Sequence, residues 1–149
     1  MVNPFNPRTV LLAKHARHVV LVHFPIALFL TAVGFDFAAQ WTKKAELAPV
    51  VRYALTVAAV ATPPVVITGL LAWQWQLEGH KLRGILLQHL VLGVTSSVLI
   101  WLVWWLHFRA NRKSESLPTY RLPIELVAAL AVAVTAHLGG FLSGVNVPG

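Results

Sequence analysis

The 149-residue chain contains no cysteine, which excludes disulfides, iron–sulfur clusters, thiolate zinc sites and the thioether attachment of a c-type haem. Charge is scarce as well: 11% of residues are charged, and only five of them are acidic. An ordinary water-soluble domain carries about 25% charged residues, so that class is disfavoured from the outset. Any metal would have to be held by His, Asp, Glu or the single Met.

What is present is apolar. Hydrophobic residues make up 57% of the chain and the mean hydropathy is +0.69. The net charge of +7 would suggest nucleic acid, but the twelve Lys and Arg lie almost wholly between apolar segments, which is how a membrane protein carries charge. Four apolar runs, residues 19–39, 50–75, 84–108 and 122–142, are each long enough to cross a hydrocarbon core, which needs roughly 20 helical residues. They show no period-two alternation, so helices rather than barrel strands are expected. The predicted fold is all-α: a four-transmembrane-helix up-and-down bundle forming one integral membrane domain over residues 1–149, with an interfacial helix over 7–17. Trp41, Trp73, Trp75, Trp104 and Trp105 mark predicted membrane interfaces. The first run is too long for a signal-peptide core and is read as a retained helix. Pro63 and Pro64 would kink or locally unwind the second helix, although prolines simply tolerated within a packed bundle are the favoured reading.

The stretch "RHVVLVHFPIALF" puts two histidines and a proline at the start of an apolar run. With helices alternating in direction, His23, His89 and His137 fall roughly 7–9 Å below one surface, counting 1.5 Å per residue. His15, His18 and His80 lie at that surface, and His107 alone belongs to the other. Each deep histidine shares a helix face with small residues, Ala27 and Gly34 for His23, Gly93 and Ser96 for His89, and Ala129 and Ala133 for His137, which the Gly139-Gly140 pair closely follows.

Ionisable or polar side chains inside a membrane are costly and mark functional candidates. Two axial imidazoles holding a haem b in a slot between diagonal helices fit this pattern best. His23 and His89 are the expected ligands, with His137 as the alternative to either. His18 lies about 140° round the helix from His23, so the two do not grip one metal; His18, Arg17 and Arg83 are expected at the propionates or the interface, and Gly93 beside the ring. Copper or a quinone is the alternative ligand, since three imidazoles also suit copper. The competing class is a cofactor-free structural or assembly subunit, with histidines bonded to neighbouring helices and the Trp-rich stretch "WLVWWLHF" docking on other membrane proteins.

Asp36 and Glu125 are expected to be bland: Asp36 near a helix end beside Lys43, and Glu125 in a first turn where its charge suits the helix dipole. Pro25 is expected near a helix start, where it removes few hydrogen bonds and fixes the backbone after His23. Five Lys and Arg flank the histidine side against seven on the other, which places the histidines and both termini on the periplasmic side of a bacterial inner membrane. There a haem would exchange electrons with a periplasmic cytochrome c or the quinone pool. No nucleophile, acid–base pair or substrate domain is visible, so an electron-transfer subunit of a larger redox complex is expected rather than an enzyme acting alone.

Four stretches together resemble a bacterial membrane family, domain of unknown function 2231: "HVVLVHFPIAL" from His18, "GLLAW" from Gly69, "HLVLGVTSS" from His89 and "TAHLGGFLSG" from Thr135. The resemblance covers all four helices and implies that His18, His23, His89 and His137 are family positions, with Gly93, Gly139 and Gly140 as their small neighbours. It implies a layout similar to four-helix cytochromes b. Two positions depart from the pattern: Ser143-Gly144 stands where many members continue with His-Gly, and Val19 where proline often follows His18.

Overall fold

The computed structural model describes residues 16–76, 79 and 81–144. These form four helices, α1 (Ala16–Thr42), α2 (Leu47–Gln76), α3 (Gly84–Lys113) and α4 (Arg121–Leu142). The described residues include no strand. At 1.5 Å per residue the helices are about 33–45 Å long, and all four are apolar enough to span a membrane. Of the interfacial helix expected over 7–17, residues 7–15 lie outside the described residues, and Ala16 and Arg17 open α1.

Local chemistry sets the helix ends. After α1, Lys43 adopts a left-handed φ of 56°, and after α3, Ser114 does so at 52°, with its N–H donating to the carbonyls of Ala110 and Asn111. Pro118 stands just before α4, and Pro123 falls in its first turn, where the backbone N–H has no helical partner to lose.

Sequence neighbours pack on one another, and α1 closes the ring against α4. The most extensive contacts are within the pairs α1–α2 and α3–α4. The bundle has two chemically distinct ends: the histidine end carries Ala16, Gln76, Gly84 and Leu142, and the basic end carries Thr42, Leu47, Lys113 and Arg121.

The core is lopsided. Phe29, Ala32, Leu55, Ala58, Val103 and Ala128 are buried at its centre, joined by Val33, Val51, Ala59, Ile100 and Val132. All of these lie at the helix midpoints or toward the basic end. In the histidine half only Pro25, Ser96 and, at the midpoint of α2, Thr62 are buried among the described residues. Protein interiors are normally close-packed, so the two halves differ in kind.

One expectation about proline is corrected. Because α1 begins by Ala16, Pro25 sits in the helix interior and is buried, not near a helix start, and the backbone carbonyl of Leu21 loses its usual donor. Pro63 and Pro64 are tolerated without unwinding α2, which is helical from Leu47 through Gln76. Pro63 deprives the Ala59 carbonyl of its N–H, and the Thr62 hydroxyl replaces that donor at 2.8 Å. Thr62 Oγ1 in turn accepts from Trp101 Nε1 at 2.9 Å, and Thr56 Oγ1 accepts from Trp104 Nε1 at 3.1 Å. These two tryptophans therefore fasten α3 to α2. Trp104 is half-buried between α2 and α3, whereas Trp41, Trp75 and Trp105 are exposed.

Candidate functional site

The histidine half is organised by two similar contacts. On α1, His18 shares the inward face with Pro25, Phe29 and Ala32, and its Nδ1 lies 3.2 Å from Thr68 Oγ1 of α2. Thr68 directs its one hydroxyl proton at the carbonyls of Pro64 and Val65, at 2.9 and 3.0 Å, so its oxygen accepts and His18 Nδ1–H donates. On α3, His89 shares the inward face with Ser96, Ile100 and Val103, and its Nδ1–H donates to the Thr135 carbonyl of α4 at 3.1 Å. A carbonyl can only accept, which settles the tautomer. In the neutral form of each residue Nε2 then carries the lone pair, the form in which imidazole binds a metal.

A glycine lies under each ring. A Cβ on Gly69 would come within 2.9 Å of His18 Cε1, and one on Gly139 within 3.1 Å of His89 Cε1. The first distance is shorter than a side chain tolerates and the second is tighter than most real contacts, so the absence of a side chain at both positions lets each ring approach the partner helix closely. Thr135 serves α3 twice: its carbonyl accepts from His89, and its hydroxyl, which donates to Ala131 O of its own helix at 2.7 Å, accepts from Ser96 Oγ at 3.0 Å. Gly93 faces the same residue, with Thr135 Cγ2 at 3.8 Å from a Cβ placed there.

The other expected residues lie elsewhere. His23 is exposed, its Nδ1–H donating to the Val19 carbonyl of its own helix at 2.6 Å, and it lines an open apolar groove with Phe24, Ala27, Leu28 and Val57. A methyl added at Gly34 would meet nothing within 4 Å, so this glycine brings no helix close to His23. His137 is exposed and meets the Phe141 ring edge-on at 5.1 Å between centroids. Arg17 and Arg83 are exposed at the histidine end, Arg83 in extended backbone at the start of α3. His15 and His80 lie outside the described residues.

The basic half holds a cluster built around the two acids expected to be bland. Arg121 Nε donates to Asp36 Oδ2 at 2.8 Å, and Glu125 Oε1 accepts from His107 Nε2 at 2.9 Å. Arg121 Nε lies 3.8 Å from Glu125 Oε1, which joins the two pairs. All four residues are buried. Asp36 thus pairs with Arg121 and not Lys43, and Glu125 sits beyond the first turn of α4, bonded across to α3. Sequence reasoning missed this because the three helices that meet here contribute one or two residues each. The one available signal was that Asp36, His107 and Glu125 share a depth at the same end.

A family model described as predicted membrane protein (DUF2231) matches residues 14–146. The chain belongs to the DUF2231 family. No curated protein and no solved structure matches it. The match spans all four helices of this DUF2231 protein and includes both the His18–Thr68 and His89–Thr135 contacts and the buried basic-end cluster.

Proposed function

We propose that this DUF2231 protein is a b-type cytochrome-like membrane subunit, with a haem b held in the histidine half of the bundle. The observation that carries the reading is the lopsided core: the buried apolar cluster lies at the helix midpoints and in the basic half, while the half that contains the inward-facing histidines buries only Pro25, Ser96 and, at the midpoint of α2, Thr62 among the described residues. His18 and His89 are the axial pair this geometry favours. They lie on the diagonal helices α1 and α3, face inward, and carry the Nε2 lone pair that ligation requires. His23 and His137, being exposed, are less suited to ligate. When bound, a haem supplies one-electron redox chemistry. This chain's own residues hold the imidazoles through Thr68 and Thr135 and against Gly69 and Gly139, which would orient them as ligands.

The charge asymmetry between the two ends supports an inner-membrane orientation with the histidine end periplasmic, facing a periplasmic cytochrome c or the quinone pool within a larger redox complex. A quinone or copper at the same histidines is the alternative ligand.

A second reading has its own observation. Both inward histidines are already bonded within their helix pairs, which is what a cofactor-free assembly subunit would use them for. Absorption spectra of the protein expressed with haem available separate the two. A Soret band with low-spin α and β peaks on reduction is expected, lost in His18→Ala and in His89→Ala and kept in His23→Ala and His107→Ala. Loss in His23→Ala with retention in His18→Ala would move the ligand pair to His23 and His89. A folded wild-type protein without a Soret band would sink the haem reading.

A further inference from the structure

The cluster at the basic end is independent of the proposed haem and calls for its own account. Glu125 is 1% exposed, yet its Oε2 has no hydrogen-bond partner. A buried polar atom left unsatisfied is costly, and in a membrane span there is no bulk water to relieve it. The surroundings are specific. From α1 come Asp36 and, at the surface, Gln40; from α3 comes His107; from α4 comes Arg121. Helix α2 offers the apolar Val51 and Leu55, and its single charged residue, Arg52, is bonded to Asn111.

Charge decides what belongs there. Asp36 and Arg121 cancel at 2.8 Å. Glu125 as a carboxylate beside neutral His107 leaves one uncompensated negative charge in a low-dielectric interior. One proton brings the cluster to neutrality, whether it rests on Glu125 Oε2 or on the imidazole. A divalent cation at Asp36, His107 and Glu125, whose ligand atoms lie within 4.8 Å of one another, would instead overshoot to a net positive charge beside a guanidinium already bound to Asp36.

We propose that Glu125 and His107 form a membrane-buried site that binds one exchangeable proton. Arg121 is its link to the basic-end surface, since Nη1 donates to the Pro118 carbonyl of the connecting loop at 3.3 Å and Nη2 to Gln40 Oε1 at 3.4 Å. Asp36 holds Arg121 in that position. Intramembrane ionisable residues commonly serve proton movement, and this cluster combines an acid, an imidazole and an approach from the surface.

The test is pH-difference infrared spectroscopy of the full chain in lipid nanodiscs, with chelator present. The wild type should show a reversible exchange between carboxylate and protonated-acid bands, with the acid band moving on transfer to deuterated water. Glu125→Gln should abolish that exchange, and His107→Gln should shift the acid band. Identical difference spectra for wild type and Glu125→Gln would overturn the site. If the variants do not fold, a wild-type spectrum with no acid band sensitive to deuteration overturns it equally. Stoichiometric divalent metal that survives chelator dialysis of wild type and is lost in Glu125→Gln would replace the proton with a metal.

Discussion

Arg121 and Asp36 are 85 residues apart in sequence and meet at 2.8 Å, Nε to Oδ2, with both side chains buried. Their ion pair closes the ring of helices, joining α1 to α4. Asp36→Asn removes the carboxylate that Arg121 Nε bonds but leaves Glu125 Oε1 3.8 Å away to balance the guanidinium, so the predicted destabilisation is that of a lost buried charge-assisted hydrogen bond, about 1–3 kcal/mol. The double change Asp36→Leu with Arg121→Met should recover most of that loss. Unfolding titrations in mixed micelles measure both; an Asp36→Asn protein as stable as wild type would show that the pair contributes nothing.

Gly69 is predicted to resist substitution where Gly93 does not. Alanine at 69 puts its methyl 2.9 Å from His18 Cε1, which forces the ring off Thr68 and should cost about 1–3 kcal/mol as overpacking does. Gly93→Ala makes an ordinary 3.8 Å contact with Thr135 and gains helix propensity, so stability should hold or rise by up to about 1 kcal/mol. The decisive check is His18→Ala combined with Gly69→Ala, which should relieve the penalty; strict additivity would contradict the contact.

How far these contacts were legible in the sequence follows from their reach. Helix positions, the membrane assignment and the shared depth of the histidines need only composition, hydropathy and the rise per residue. Whether His18 or His23 faces inward depends on helical phase relative to neighbours, and one apolar run gives no amphipathic signal when both lipid and core are apolar. For the same reason the Asp36–Arg121 pairing was hidden: Lys43 is nearer in sequence, and only the packing of α4 on α1 brings Arg121 closer in space.

Thr62 is predicted to hold α2 together at its two prolines. Thr62→Ala leaves the Ala59 carbonyl and the Trp101 Nε1–H without partners, and each orphaned group costs about 1–3 kcal/mol. Thr62→Ser should keep both bonds and most of the stability. Thermal unfolding followed by tryptophan fluorescence compares the two; equal losses would mean that the methyl, not the hydroxyl, is what matters.

Thr68 provides a prediction specific to the proposed haem. Thr68→Val removes the acceptor for His18 Nδ1–H while leaving the ring in place on Gly69. Loss of such a supporting hydrogen bond weakens metal retention by about tenfold to a hundredfold. Haem transfer to an apoprotein acceptor measures it, and an unchanged transfer rate would exclude His18 as a ligand supported in this way.

By itself the sequence determined that this chain makes four membrane-spanning helices, because about 20 consecutive apolar residues have no other stable way to satisfy their backbone in lipid. It determined too that the polar chemistry gathers at two depths, since the rise per residue is fixed. Tertiary structure alone decided which of those groups meet. The packing of α1 on α2 and of α3 on α4 turned His18 and His89 onto Thr and Gly partners, and the closure of α1 on α4 buried Asp36 against Arg121. Rotation of a helix about its own axis costs little in a uniformly apolar sequence until neighbouring side chains interlock, so those choices had to wait for the packed bundle.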